Sequence, residues 1–254
     1  MAKIKAVFFD QDGVIIDTER DGHRVAFNQT FKDFGYDFEW DVSYYHELLQ
    51  VAGGKERMKH HLRTKGFGVE VKPEDVDELI IKMHKHKTAV FVSLIESGKL
   101  PLRPGVKRLM SEVNDAGLLL GICTTSNERA AQAVVTGMLS DIKFEFVLAG
   151  DIVSKKKPDP EIYNLALEKS GFAPDECVVI EDSRNGVLAA RAADLNIVAT
   201  TNIYTASENL SDANIIVTCL GDADGEKGKL NEGGEGLEYD GVLRLDQLMA
   251  YFSK

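Results

Sequence analysis

Two carboxylates close the first apolar run of the chain: Asp10 and Asp12, in VFFDQDGV (7–14), are spaced i, i+2 with Gly13 beside them. Carboxylates that close repel each other unless a cation or a phosphoryl group lies between them. The pair is therefore a candidate for metal-assisted phosphate chemistry, although a solvated DxDG turn would use the same residues. Three later stretches repeat the pattern of an apolar run ending in polar side chains. LLLGIC (118–123) runs into Thr124, Thr125, Ser126 and Asn127, whose hydroxyls and backbone N–H groups at a helix start can bind a phosphate or simply cap the helix. FEFVLA (144–149) is followed by SKKKPDPEIY, where Pro158 restricts the backbone of Lys157 and can aim its ammonium; a run of lysines is also an ordinary solvated surface. CVVI (177–180) ends in Glu181 and Asp182, again a capping pair or a ligand pair.

The elements that must position these residues are legible as a pattern. IKAVFF (4–9) is a short apolar, β-branched run and reads as a buried parallel strand. LLLGIC, FEFVLA, CVVIE (177–181), NIVAT (196–200) and NIIVT (214–218) read the same way, with helical patterns such as PEIYNLALEKSG (160–171) between several of them. Strands alternating with helices predict an α/β fold with a Rossmann-like parallel sheet. From residue 18 to about 97 the pattern changes to helices in ERDGHRVAFNQTFKDFG, HELLQVAGGKERMKHHLRTKG and PEDVDELIIKMHKHKTAVFVSLIESG, with apolar residues three to four apart. GKLPLRPG (98–105) marks the return to the sheet. The expected organisation is a core domain of residues 1–17 and 99–254 with an α-helical cap, 18–98, inserted after the first strand, at the sheet end where open α/β folds bind ligands. The Gly- and acid-rich stretch 221–241 reads as a loop. The Lys-rich patterns holding His60, His61, His84 and His86 read as solvated helix faces.

Composition excludes several classes. A formal charge of -11 over 254 residues argues against nucleic-acid binding, which draws on clustered Lys and Arg, and means that an anion-handling site must gather its positive charge locally. Cys123, Cys177 and Cys219 lie far apart without CxxC spacing, so neither a zinc site nor a disulfide framework is expected, consistent with a reducing compartment. No apolar stretch approaches the about 18 residues of a membrane span. The expectation is a soluble protein of the cytoplasm, or of an organelle if a targeting segment has been removed, acting as a monomer without nucleic-acid or membrane partners.

The order DxD, Thr, Lys-Pro, Glu-Asp, each at or after a strand end, resembles the haloacid dehalogenase superfamily with its Mg2+-dependent phosphatases and phosphomutases. The resemblance implies Asp10 as nucleophile, Asp12 as general acid and base, Thr124 as phosphate ligand and Lys157 as charge neutraliser. It also implies Mg2+ as cofactor, held by Asp10, Asp182 and the backbone carbonyl of Asp12, with Glu181 assisting. Mg2+ takes one or two carboxylates plus phosphate oxygens and water, which fits that set. The superfamily's dehalogenases lack the second aspartate, so Asp12 points to phosphate chemistry.

The inserted helices resemble the β-phosphoglucomutase-like branch. TERDGHRVAFNQTF (18–31), EWDVSYYHELLQVAGGKERM (39–58) and RPGVKRLM (103–110) are similar to CbbY-type xylulose-1,5-bisphosphate phosphatases, which clear a compound that inhibits Rubisco. Gly53 and Gly54 can let a helix N-terminus approach an anion, with Lys55 and Arg57 adding charge-assisted bonds, as a second phosphate needs. The resemblance implies that Glu19, His23 and Tyr45 face the sugar, with Thr125, Ser126 and Asn127 of the core as further substrate-binding residues. Glu19 and His23 stand one residue further apart than in the mutase pattern. The expected activity is hydrolysis of xylulose-1,5-bisphosphate through an aspartyl phosphate. The alternatives are a β-phosphoglucomutase-like phosphomutase, a broad-specificity sugar phosphatase, or a non-catalytic binder of sugar phosphates.

Overall fold

The computed structural model describes residues 4–51, 53–98, 100–150 and 152–253. Its contacts divide into two compact units, one made of the residues up to Asp17 together with those from Pro101 onward, the other of Thr18–Leu100. The boundary expected at 98/99 falls at Lys99, outside the described residues.

In the first unit the strands β1 (Ala6–Phe9), β2 (Leu119–Cys123), β3 (Phe146–Leu148), β4 (Cys177–Glu181), β5 (Asn196–Thr200), β6 (Ile215–Val217) and β7 (Leu230–Gly233) form one sheet in the order β3-β2-β1-β4-β5-β6-β7. All pairs are parallel except β6 with β7. Every residue of β1 and β4 is buried, as expected of strands covered on both faces. Register is the feature that matters for the site. Phe9 pairs with Ile122 on one side and Ile180 on the other, so β1, β2 and β4 end nearly flush and the polar residues that follow emerge together.

The stretch 221–241, expected to be loop throughout, contains β7. This strand lies antiparallel on the sheet edge with Leu230, Asn231 and Glu232 exposed. No alternation of apolar residues marks it, because its pairing is made by backbone groups while its side chains face water.

The second unit is helical: α1 (Arg24–Asp33), α2 (Val42–Leu48), α3 (Gly54–Thr64) and α4 (Val76–Glu96), with α4 packed against α1 and α3. The pattern over 46–66 is two helices, broken where Gly53 adopts φ +93°. Glu19 and His23 lie in a π-helical turn, Thr18–His23, that runs directly into α1. Phe27, Phe31, Phe38, Trp40, Tyr45 and Phe67 make an aromatic core, with the backbone of Trp40 held at both ends by the Asn28 amide.

Two expectations about solvated faces are corrected here. His61 is buried inside this aromatic core, where its Nδ1 accepts from the Trp40 indole at 3.1 Å. Since an indole N–H can only donate, the imidazole is neutral with its proton on Nε2, and burial holds its pKa down to about 4. Lys87 is also buried. Helical periodicity turns both inward even though their neighbours in sequence are basic and polar.

Phe31 contacts Phe38 and Trp40 with ring centroids 4.6 and 4.7 Å away. Phe31→Ala is expected to lower the stability of this unit by about 3–5 kcal/mol, read in urea by the fluorescence of Trp40, the chain's single tryptophan. An unchanged urea midpoint would show that the aromatic core does not carry the unit's stability.

Candidate active site

The carboxyl edge of the sheet gathers the four sequence motifs. Lys157 reaches it from the loop after β3, and its ammonium lies 2.5 Å from Asp10 Oδ1, 2.6 Å from Glu181 Oε1 and 3.0 Å from the Cys123 carbonyl. Both carboxylates and the ammonium are at least nine-tenths buried. Tyr163, from the helix Glu161–Ser170, donates its hydroxyl to the same Glu181 oxygen, and its ring lies 5.0 Å from the ammonium. The arrangement follows from register: Asp10 N–H donates to the Ile180 carbonyl at 2.9 Å, which brings Asp10 alongside Glu181.

Asp182 completes the cluster. Asp10, Glu181 and Asp182 each offer an oxygen within 4.8 Å of the others. Gly186 makes room for Glu181, since a Cβ there would lie 1.9 Å from its carboxylate. Gly13, at φ +84°, makes room for Asp182 in the same way, with 2.0 Å from a Cβ to Oδ2.

The electrostatics of this cluster are unbalanced. With all three carboxylates ionised (-3), the one ammonium (+1) would leave the cluster at -2, and burial resists that state. Burial pushes the Asp10 carboxyl up to about 8, with Lys157 opposing the shift and Glu181 and Asp12 adding to it. Asp182 is raised well above the usual carboxylate range by burial first, then by Asp10 and Glu181. Burial works against the charge of Lys157, yet the two carboxylates on it raise its pKa. A buried set of hard oxygen donors with two surplus negative charges fits a divalent cation such as Mg2+. Asp12 is not in that set through its side chain. Its Oδ2 instead accepts from Ser126 Oγ and, at 3.3 Å, from Thr124 Oγ1.

The loop after β2 divides its residues among different tasks. Thr124 is buried and its Oγ1 also accepts from Ser126 N–H at 3.0 Å. Asn127 caps the helix Glu128–Met138 by accepting from Arg129 N–H at 3.0 Å. Thr125 and Asn127 line a cavity of about 590 Å³ with Gly150, Ile152 and Lys156.

In the second unit, Tyr45 donates to Glu19 Oε2 at 2.6 Å, and Arg57 lies 3.4 Å from the Tyr45 hydroxyl while its Nε donates to the Val51 carbonyl. Lys55 is exposed on the first turn of α3. Gly54 is held in close packing, since a Cβ would meet His84 at 3.0 Å and Phe27 at 3.2 Å. His23 stacks on Phe91 with centroids 3.8 Å apart, and its Nδ1 lies 2.8 Å from the Lys87 ammonium. Burial, then Lys87, keeps His23 neutral. Lys87 itself falls to about 8, chiefly through burial, with Glu19 opposing. Lys87 is thus a cation of this unit that the sequence hid, because HKHK reads as surface.

Comparison with known proteins places this geometry. Residues 4–194 match the haloacid dehalogenase-like hydrolase family. The CBBY-like protein of Arabidopsis thaliana is 44% identical over 226 residues, covering 87% of this chain and 71% of that protein. Protein CbbY of Rhodobacter capsulatus is 41% identical, covering 83% of this chain and 91% of that protein. A crystal structure of a mutant CbbY from Rhodobacter sphaeroides in complex with xylulose-(1,5)bisphosphate is similar with a TM-score of 0.64 at 36% identity, covering 85% of this chain and 94% of that one.

The cation-free cluster sets a pH signature. An unfolded aspartate ionises near 3.8, whereas folded Asp10 keeps its proton up to about 8. The cation-free protein therefore loses stability as pH rises through that window. A cation binds the ionised form, so the rise in Tm given by Mg2+ is expected to be larger at about pH 8 than at about pH 5. Equal shifts at both would show that these carboxylates do not hold the ion.

Proposed function

The chain belongs to the haloacid dehalogenase-like hydrolase family and is a phosphatase, and from that we propose that it hydrolyses a sugar bisphosphate, xylulose-1,5-bisphosphate, with Mg2+ as cofactor and an aspartyl phosphate as intermediate. The observation that carries the reading is the Lys157 ammonium held between Asp10 and Glu181, with Asp182 alongside and Asp12 set apart on two hydroxyls.

Each residue has a chemical task in this reading. Asp10 attacks phosphorus and forms the aspartyl phosphate, a mixed anhydride, as the bond from phosphorus to the sugar oxygen breaks. Lys157 offsets the negative charge brought by the incoming phosphate. Asp12, turned away from the metal donors and oriented by Ser126 and Thr124, protonates the leaving alkoxide and then takes a proton from the water that releases phosphate. Asp10, Glu181 and Asp182 would hold Mg2+, with the Asp12 carbonyl as a further ligand. Bound there, the ion supplies positive charge against the phosphoryl oxygens.

Support for a bisphosphate comes from the CbbY neighbour crystallised with xylulose-(1,5)bisphosphate and from the cations Lys55, Arg57 and Lys87 of the second unit. Gly54, Lys55 and Arg57 are proposed to take the second phosphate, and Glu19, His23 and Tyr45 the sugar, with Thr125, Ser126 and Asn127 completing the contacts. A mutase is the second reading, favoured by likeness to a putative β-phosphoglucomutase from Thermotoga maritima at 26% identity and a TM-score of 0.66.

Phosphate release with Mg2+ from xylulose-1,5-bisphosphate, fructose-1,6-bisphosphate and β-glucose-1-phosphate tests these readings. Preference for the first is expected, with Asp10→Asn lowering kcat by about 10⁴-fold or more. Comparable slow release from all three would leave a broad sugar phosphatase, and dependence on a bisphosphate activator without net phosphate release would establish the mutase. Lys55→Ala is expected to raise KM for the bisphosphate by about tenfold, the worth of one charge-assisted bond, and to leave monophosphates nearly unaffected. A variant with unaltered preference between the two classes would remove Lys55 from the second phosphate site.

A further inference from the structure

Asn202 lies two residues beyond the end of β5 and belongs to none of the motifs that mark the site. Its Oδ1 accepts from the backbone N–H groups of Tyr204 at 2.8 Å and Thr205 at 3.1 Å, while its own backbone N–H donates to Thr205 Oγ1 at 3.1 Å. Two donors converging on one end of the amide fix that end as the oxygen. The other end, Nδ2, therefore donates to Asp182 Oδ2 at 2.9 Å.

The segment that carries Asn202 is itself anchored. Arg103 donates to the Thr201 carbonyl at 2.6 Å, to the Thr218 carbonyl at 2.9 Å and to Thr200 Oγ1 at 2.9 Å, and the same guanidinium holds the Gly13 carbonyl. A Cβ at Gly13 would meet both Asp182 Oδ2 and Asn202 Nδ2, the latter at 3.1 Å. The amide, the carboxylate and the backbone of the Asp10–Asp12 loop are thus packed against one another.

We propose that Asn202 is a positioning residue of the metal centre: by engaging one oxygen of Asp182 it fixes the rotation of that carboxylate and presents the other oxygen to the divalent cation. The inference rests on the Mg2+ reading of the cluster. A carboxylate already oriented loses less freedom on coordination, the usual contribution of partners that lie just outside the ligands. The neutrality of the amide also matters. A lysine in its place would compete with the cation, and an aspartate would add a further acid to a cluster that already holds three carboxyl groups against one ammonium.

The test is calorimetric titration of Mg2+ into the wild-type protein, Asn202→Ala and Asn202→Ser, with the cation-free Tm of each. Serine keeps an oxygen for the Tyr204 and Thr205 N–H groups, as in a serine turn, but is too short to reach Asp182. Both variants are expected to bind Mg2+ about tenfold or more weakly, with the serine variant close to wild type in cation-free Tm. Wild-type Mg2+ affinity in Asn202→Ser would overturn the inference and leave Asn202 acting through its turn alone. Failure of the wild-type protein itself to take up Mg2+ would overturn the metal reading, and this inference with it.

Discussion

One buried ammonium shared by two carboxylates, Lys157 between Asp10 and Glu181, is the interaction that the rest of the site is arranged around. Charges taken out of water are costly unless they are paired and hydrogen-bonded. Here the pairing is deliberate but incomplete: Lys157 satisfies two carboxylates, Tyr163 adds a hydroxyl to one of them, and Asp182 is left as a further acid in the same place. The resulting shortage of positive charge is unfavourable to the fold and favourable to binding a cation. The well-packed sheet beneath it, with β1 and β4 wholly buried, supplies the stability that lets such a cluster persist.

The sheet also explains why the cluster forms at all. Parallel strands that end nearly flush deliver the residues at and just after each strand end to one edge, and β1, β2 and β4 do so for Asp10, Thr124 and the Glu181–Asp182 pair. Side-chain choice near the edge then follows from space. Gly13 and Gly186 stand where any Cβ would enter a carboxylate, so the acids dictate the glycines around them. Arg103 ties the backbone on which Asp10 and Asp12 sit to the far side of β5, which makes the loop a fixed part of the sheet edge.

The parts of this that are legible in sequence are those with a local pattern. Apolar runs marked β1 to β6, and the helical periodicity of 18–97 marked the inserted unit, because burial on two faces or on one leaves a direct trace in residue order. Asp10, Asp12, Lys157, Glu181 and Asp182 stand out for the same reason, each following such a run. β7 leaves no trace, since backbone pairing at an edge asks little of side chains. Asn202 and Arg103 are invisible because their partners are 20 to 115 residues away in sequence. His61 and Lys87 are misread from composition: about half a turn of helix separates the exposed Lys85 from the buried Lys87, and a run such as HKHK holds both.

Lys87 bears on a constraint set by the whole chain, whose formal charge is -11. An anionic substrate is repelled by such a protein except where cations are gathered, and a cation already neutralised by a carboxylate attracts an anion only weakly. Lys87 is stabilised differently. Its ammonium lies 4.7 Å from the Phe27 ring centroid and 5.1 Å from that of Phe91, with the Nδ1 lone pair of a neutral His23 as a direct partner. Aromatic faces and an imidazole lone pair hold an ammonium without cancelling its charge, and the Glu19 carboxylate, which accepts from the Tyr45 hydroxyl, favours the charged form. The two units therefore carry opposite electrostatic solutions. The sheet edge gathers buried acids of a kind that fits a divalent cation, and the helical unit keeps a buried ammonium on aromatic faces.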